Sequence, residues 1–143
     1  RTSTLVGRII SRFRALPDFP SLRAVYFIWR DPHMTVGGDT FIHDVMQWGG
    51  LQNLYGGQTR YPNVSPHALA EQEPDVLLCA TEPFPFHEKD AFTAELRDAA
   101  PDTPIEIVDG QPFSWYGPRL LDTPKYLRDL RERLPAPRPA QSP

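Results

Sequence analysis

Hydrophobic residues follow two patterns along this chain. Some form short continuous apolar runs, and others recur every three to four residues over longer stretches. Continuous runs of four to eight residues are typical of strands buried on both faces, whereas the longer period is typical of amphipathic helices. The runs predict four strands, of which the second is the weakest, at residues 23–29, 53–55, 75–80 and 105–108.

Five periodic stretches predict helices at residues 2–16, 39–48, 66–72, 89–99 and 118–134. Ser65 followed by Pro66 is typical of a helix start, and Pro124 predicts an interruption and restart within the last helix. Helical spacing also predicts the buried face of the first two helices. This face comprises Leu5, Val6, Ile9, Ile10 and Phe13 in the first, and Phe41, Ile42, Val45 and Met46 in the second.

Predicted strands and helices alternate along the chain. This order favours an α/β fold of three layers, with a mostly parallel four-stranded sheet covered by helices on both faces. In such sheets ligands bind beyond the carboxyl ends of the strands. The loops that follow the strands are therefore where functional residues are expected.

Composition narrows the class of protein. A chain of 143 residues suits one domain. The formal net charge of −3 argues against a nucleic-acid binder that relies on a basic face. No apolar run approaches the roughly 18 to 20 residues of a membrane span. A single cysteine, Cys79, excludes an internal disulfide.

The two ends of the sequence are unusual. The first residue is Arg1 rather than methionine, so we expect a piece of a longer protein. Proline makes up 17 of the 143 residues, and several prolines lie near the carboxyl terminus. This composition predicts a disordered tail at residues 135–143.

Aromatic residues concentrate in the loops after the predicted strands. Exposed aromatic clusters usually mark a ligand groove or a partner surface, although some of these rings are expected to pack beneath their loops. Arg30, Arg60 and Arg119 lie near them and are suited to bind carboxylates. The rings are Trp29, Tyr61, Phe84, Phe86, Phe113, Trp115 and Tyr116.

Signals for catalysis or metal binding are weak. No serine lies in a Gly-x-Ser-x-Gly motif, and the histidines lack helical metal-ligand spacing. Gly37 and Gly38 precede a helix and suit either an anion site or a tight turn. Two alternatives stay open: a zinc or manganese receptor, or a small α/β enzyme that uses Glu82 or Asp109. The metal alternative would require His33, His87, Glu82 or Asp109 to converge.

Three stretches together resemble a known family. They are VYFIWRDPHMTVGGDTFIHDVMQWGGLQNLYG (25–56), RYPNVSPHALAEQEPDVLLCATEPFPF (60–86) and DGQPFSWYGPRLL (109–121). Their order and spacing resemble the C-terminal lobe of class III periplasmic substrate-binding proteins. These proteins, also called helical-backbone metal receptors, serve ABC importers of cobalamin, ferric siderophores and haem.

The resemblance implies two α/β lobes joined by a long helix, with the ligand between the lobes. Residues 1–16 would be the end of that helix, residues 17–134 the C-terminal lobe and residues 135–143 the tail, with the N-terminal lobe missing from this chain. It also implies a set of side chains that face the cleft, with no catalytic or metal-binding residue. The set is Trp29, Arg30, Met34, Arg60, Tyr61, Phe84, Phe86, Trp115 and Tyr116.

The resemblance further implies a function and partners. We expect a non-enzymatic component of an importer that needs no cofactor and lies in the periplasm, or outside the cell with a membrane anchor. Its partners would be cobalamin or a metal chelate, the permease and the missing lobe, or a second copy of this chain in its place. Family members dock on the permease through a glutamate. Ser114 stands at that position here, so docking would need another acid such as Glu82.

Overall fold

The computed structural model describes residues 4–139. Its helices are α1 (Leu5–Arg14), α2 (Phe41–Trp48), α3 (Pro66–Gln72), α4 (Ala91–Ala99) and α5 (Thr123–Arg133). Its strands are β1 (Leu22–Phe27), β2 (Leu51–Asn53), β3 (Val76–Ala80) and β4 (Ile105–Val108). Short 3-10 helices occupy Phe86–Glu88, Gln111–Phe113 and Gly117–Asp122. None of the helices described is long and apolar enough to cross a membrane.

The four strands form one parallel sheet in the order β2-β1-β3-β4. Ala24 of β1 pairs with Val76 of β3, and Leu77 of β3 pairs with Ile105 of β4. Because every strand runs the same way, all four carboxyl ends lie at one edge of the sheet. The predicted fold class is confirmed.

Alternating side chains of the two central strands divide the core into two clusters. Tyr26 and Leu78 point into the cluster that includes buried residues of α2 and α5. Phe27 and Leu77 point into the cluster that includes buried residues of α3 and α4. The central strands are therefore buried on both faces, which explains why they appear as continuous apolar runs.

Most element boundaries agree with the predictions to within about two residues. The position of β4 and the start of α3 at Pro66 are as predicted. The weak second strand ends at Asn53 rather than Tyr55, because the Asn53 side-chain oxygen accepts a hydrogen bond from the Tyr55 amide and closes a turn there. Pro124 lies in the first turn of α5, after a separate 3-10 turn, as its missing N–H predicts.

Two predicted buried faces are wider than the observed ones. In α1 only Phe13 is buried, while Val6 and Ile10 are exposed. In α2 the inward residues are Val45 and Met46, and Phe41 is exposed at the first helical position. The spacing correctly predicts the apolar side of each helix, but the neighbouring elements cover only part of it.

The carboxyl-terminal segment returns to the sheet. Residues 135–139 contain no helix or strand, but the Arg138 amide donates to Asp75 Oδ1 at 2.7 Å. The predicted disorder of residues 135–143 and the predicted boundaries of the C-terminal lobe after residues 16 and 134 stay predictions. Residues 1–3 and 140–143, where parts of the predicted first helix and tail fall, lie outside the described residues.

Candidate functional site

The carboxyl edge of the sheet carries two groups of aromatic side chains. One group surrounds an open concavity of about 270 Å³ between the loops that follow β1, β2 and β4. The other, here called the aromatic cluster, consists of Trp29, Phe84, Phe86 and Phe92 near α4. The residues that line the concavity are Thr40, Phe41, Ile42, Tyr61, Phe113, Ser114, Trp115 and Tyr116.

The concavity is apolar but open to solvent. Tyr61 is 50% exposed and Tyr116 is 85% exposed, although rings of this size are usually covered in a folded domain. None of its lining residues is charged. Such a surface offers flat area to a ligand at low cost in side-chain entropy.

The wall beside α2 is held by two glycines. The Gly37 amide donates to the Arg60 carbonyl at 2.7 Å, and the Gly38 amide donates to the Gln58 carbonyl at 2.8 Å. A Cβ at either glycine would overlap main-chain atoms of residues 56–59. This close approach places Tyr61 beside the start of α2.

These contacts also correct one interpretation of the glycine pair. Both amides are already bonded to carbonyl oxygens, so they do not form the anion site that the sequence suggested as one alternative. The Thr40 hydroxyl instead accepts from the His43 amide at 3.1 Å and caps α2. The other alternative, a tight turn into a capped helix, describes the segment.

The wall after β4 is anchored by a buried ring. Phe113 packs against Tyr26, with ring centres 4.9 Å apart. The Thr123 hydroxyl donates to the Pro112 carbonyl at 2.9 Å, which fixes the same segment to the start of α5. Trp115 follows, half-buried, with the Arg119 guanidinium 4.3 Å from its ring centre.

The aromatic cluster is more deeply packed than the concavity. Phe84 lies at its centre, with ring-centre distances of 5.4 Å to Trp29, 4.8 Å to Phe86 and 4.7 Å to Phe92. Trp29 is 40% exposed and is the cluster's most accessible member. Arg30 stacks on Phe92 and forms an ion pair with Glu95 at 2.8 Å.

The structure separates the predicted cleft residues by exposure. Trp29, Arg60, Tyr61 and Tyr116 are exposed, and Arg30, Met34, Phe84 and Trp115 are half-buried. Phe86 is 1% exposed and belongs to the core cluster beneath α4, so the prediction that it faces the cleft is wrong. It lies on a 3-10 turn that directs its ring under Phe84. Ligand contact by the other eight stays a prediction.

Three lining residues were missed by sequence reasoning. Thr40, Phe41 and Ile42 open α2 and lie against the concavity. A threonine before an apolar helical stretch is a recognisable cap signal. The first turn of a helix that begins at a strand's carboxyl end lies near the predicted site, and this signal could have identified the three residues.

The side chains on which the metal-receptor and the enzyme alternatives depend lie in separate environments. His33 is buried with its ring 5.8 Å from that of Phe27, and its Nε2 has no hydrogen-bond partner. Burial lowers the pKa of His33 below its ordinary value. Asp109 is exposed and accepts from the Gln111 amide at 3.0 Å. Within residues 4–139, no three His, Cys, Asp or Glu side chains converge as a metal site would require.

Comparison with known proteins gives a clear result for the fold. No protein-family model and no curated protein sequence matches the chain. Among solved structures, a substrate-binding protein of an ABC transporter from Listeria monocytogenes EGD-e is similar, with a TM-score of 0.66 at 18% identity over 91% of this chain and 54% of that chain.

Two proteins of Vibrio cholerae are also similar. Its periplasmic haem-binding protein has a TM-score of 0.62 at 19% identity, over 86% of this chain and 51% of that chain. Its periplasmic vitamin B12-binding protein has a TM-score of 0.57 at 18% identity, over 90% and 51%. The chain spans about half the length of these proteins. The described residues therefore have the fold of about half of a periplasmic substrate-binding protein, as the resemblance predicts.

Proposed function

We propose that this chain is one lobe of the solute-binding component of an ABC importer. Its ligand is a large, flat metal chelate of the haem, cobalamin or ferric siderophore kind, bound between this lobe and a second one. The observation that carries this proposal is the open aromatic concavity at the carboxyl edge of the sheet, where Tyr61 and Tyr116 are exposed beside Trp115.

The chemistry of the concavity suits binding rather than catalysis. Its lining combines rings with the aliphatic hydroxyls of Thr40 and Ser114, and it contains no carboxylate, imidazole or thiol. Flat ligands lose little freedom on binding to rings, and a second surface is needed to cover their other face. We therefore propose a binding role with no chemical step.

The solved structures named above support the class of ligand and the location. Their names describe haem binding, vitamin B12 binding and a periplasmic location. By this similarity in fold, we propose that the chain works in the periplasm, or outside the cell on an anchor, and delivers its ligand to a permease. Because position 114 is a serine and not a glutamate, docking on that permease would use an acidic residue elsewhere on the lobe.

The proposal is tested by titrating the 143-residue chain with haem and with cyanocobalamin while its tryptophan fluorescence is recorded. At least one of the two should quench the tryptophan fluorescence of the chain. Tyr61→Ala and Tyr116→Ala should each weaken binding severalfold, since each removes an exposed ring from the concavity.

Trp48→Ala is the matched control because Trp48 is an exposed ring outside the concavity, packed against Phe13 at 5.4 Å. Its loss should leave binding unchanged. Absence of binding by both ligands, or equal weakening by Trp48→Ala and Tyr116→Ala, would contradict the proposed function.

A further inference from the structure

The loops that carry the exposed rings Trp29 and Tyr61 meet at one buried histidine. Residues 33–38, after β1, pair with residues 58–64, after β2, through four main-chain hydrogen bonds of 2.7 to 3.0 Å. These four bonds are here called the loop ladder. Because Tyr61 lies within the second of the two segments, the loop ladder decides where its backbone stands.

The buried histidine, His33, is the residue at which the two loops join. Its carbonyl accepts from the Val64 amide at 2.9 Å, which is the last hydrogen bond of the loop ladder. The next residue, Met34, donates its amide to the Trp29 carbonyl at 3.1 Å. The backbone at His33 therefore connects the position of Trp29 to that of Tyr61.

The imidazole ring of His33 has no polar partner at this junction. It is 5% exposed, and its ring centre lies 5.8 Å from that of Phe27 in an edge-on arrangement. Its Nε2 has no hydrogen-bond partner among residues 4–139. A protonated imidazole donates from both nitrogens, so protonation would leave a buried, charged donor unpaired.

The charged groups that act on the ring do not supply the missing partner. Arg30 and Asp31 belong to the same loop, and Glu95 belongs to α4. Glu95 is already paired with Arg30 at 2.8 Å, and Asp31 is exposed. Burial lowers the pKa of His33 below its ordinary value, which agrees with a ring that is neutral while it is buried.

We infer that His33 is a positioning residue whose neutral ring keeps the loop ladder closed, so that acidification opens the ladder and frees Tyr61 from its place. An exposed imidazole gains its proton near pH 6.5, so opening should increase below that pH. Between pH 7.5 and pH 5.5 the increase can reach about tenfold at most. Opening of the ladder does not depend on a ligand, whereas its effect on binding rests on the proposed function.

The first test is amide hydrogen exchange of the 143-residue chain at pH 7.5 and pH 5.5, corrected for the intrinsic rate at each pH. The amides of Thr35, Gly37 and Val64, which donate within the loop ladder, should lose protection severalfold at pH 5.5. The amides of Leu77 and Thr81 donate from β3 and its carboxyl end to the β4 side of the sheet, and they should keep their protection.

Variants assign the effect to the His33 ring. His33→Leu cannot gain a proton, so its ladder amides should be equally protected at both pH values. His67→Leu is the control, because it removes an exposed imidazole on α3, and it should keep the loss of protection at pH 5.5. The side chain of His33→Lys is more stable in water than in an apolar site, so its ladder should be open at pH 7.5 as well.

The second test links the ladder to the ligand. At pH 7.5, His33→Lys should bind haem or cyanocobalamin severalfold more weakly than the unchanged chain, and His33→Leu should bind equally well. Equal loss of protection in ladder and sheet amides, an unchanged ladder at pH 5.5, or equal binding by the two His33 variants would overturn the inference. Failure of both ligands to bind the unchanged chain would overturn the proposed function, while a ladder that opens only with a protonated His33 would still support the inference.

Discussion

Asp75 connects three parts of the chain through one buried carboxylate. Its Oδ2 accepts from the Arg23 amide at 2.7 Å, and its Oδ1 accepts from the Arg138 amide at 2.7 Å. The Asp75 amide in turn donates to the Arg23 carbonyl at 2.8 Å. A residue that looks like a polar strand start in the sequence therefore joins β1, β3 and the carboxyl-terminal segment.

Replacing Asp75 by asparagine should destabilise the protein. The amide group of asparagine presents an NH₂ to one of the two backbone N–H donors, so one hydrogen bond is lost and two donors face each other at a part-buried position. We expect a loss of about 1–3 kcal/mol in the free energy of unfolding, measured by urea denaturation. Asp98→Asn, at an exposed position on α4, is the control, and equal stability of the two variants would contradict this role.

His33 should make stability depend on pH. Burial lowers the pKa of His33 in the folded state, so below about pH 6.5 the unfolded chain binds a proton more readily than the folded one. Stability contributed by the neutral ring is present above that pH and is lost as the pH falls through the folded-state pKa. The charged groups that act on this ring are Glu95, Arg30 and Asp31.

Replacing His33 by leucine removes this titration. Urea denaturation between about pH 5 and pH 7 should show a smaller loss of stability on acidification for His33→Leu than for the unchanged chain. His87→Leu, at an exposed position, should keep the original slope. If His33→Leu and the unchanged chain lose stability equally on acidification, the His33 ring does not cause the pH dependence of stability between about pH 5 and pH 7.

At the scale of elements, the contact between the Gly37-Gly38 pair and residues 56–60 decides where Tyr61 lies. Spacing in the sequence predicts α2 and the loop before it, but it does not reveal that the loop after β2 packs against its backbone. This pairing joins segments about 20 residues apart, and the missing side chains make it possible. Sequence patterns describe periodicity within one element and carry little information about such contacts.

Gly38→Ala should disrupt this contact. The new Cβ would meet the Gly56 carbonyl, which belongs to the main chain and cannot move aside alone. We expect destabilisation of about 2 kcal/mol and weaker binding of the flat ligand, because Tyr61 would shift. Gly57→Ala is the matched control, since a Cβ there meets nothing within 4 Å. Thermal unfolding and the haem titration measure both effects, and equal behaviour of the two variants would contradict the assigned contact.

For the whole molecule, the layered fold was predictable because alternation of apolar runs and helical periods directly reflects a parallel sheet. The candidate site was predictable only in part. All four strand-end loops carry at least one ring, but their sequence does not tell which ring turns inward, and Phe86 and Tyr116 appear equally accessible there. In the structure one is fully buried and the other almost fully exposed. Tertiary packing makes that distinction.

One surface of this size should bind a flat ligand weakly. The concavity would contact only one face of the proposed macrocycle, so the other face would stay in water and half of the available contact would be missing. We expect a Kd weaker than about 1 µM for haem and for cyanocobalamin with the 143-residue chain at low protein concentration. Binding in the nanomolar range by a monomer would contradict the two-lobe arrangement. Tight binding with two chains per ligand, detected by sedimentation, would instead show that a second copy supplies the opposing wall, and the exposed apolar side chains of α1 would then be the first positions to mutate.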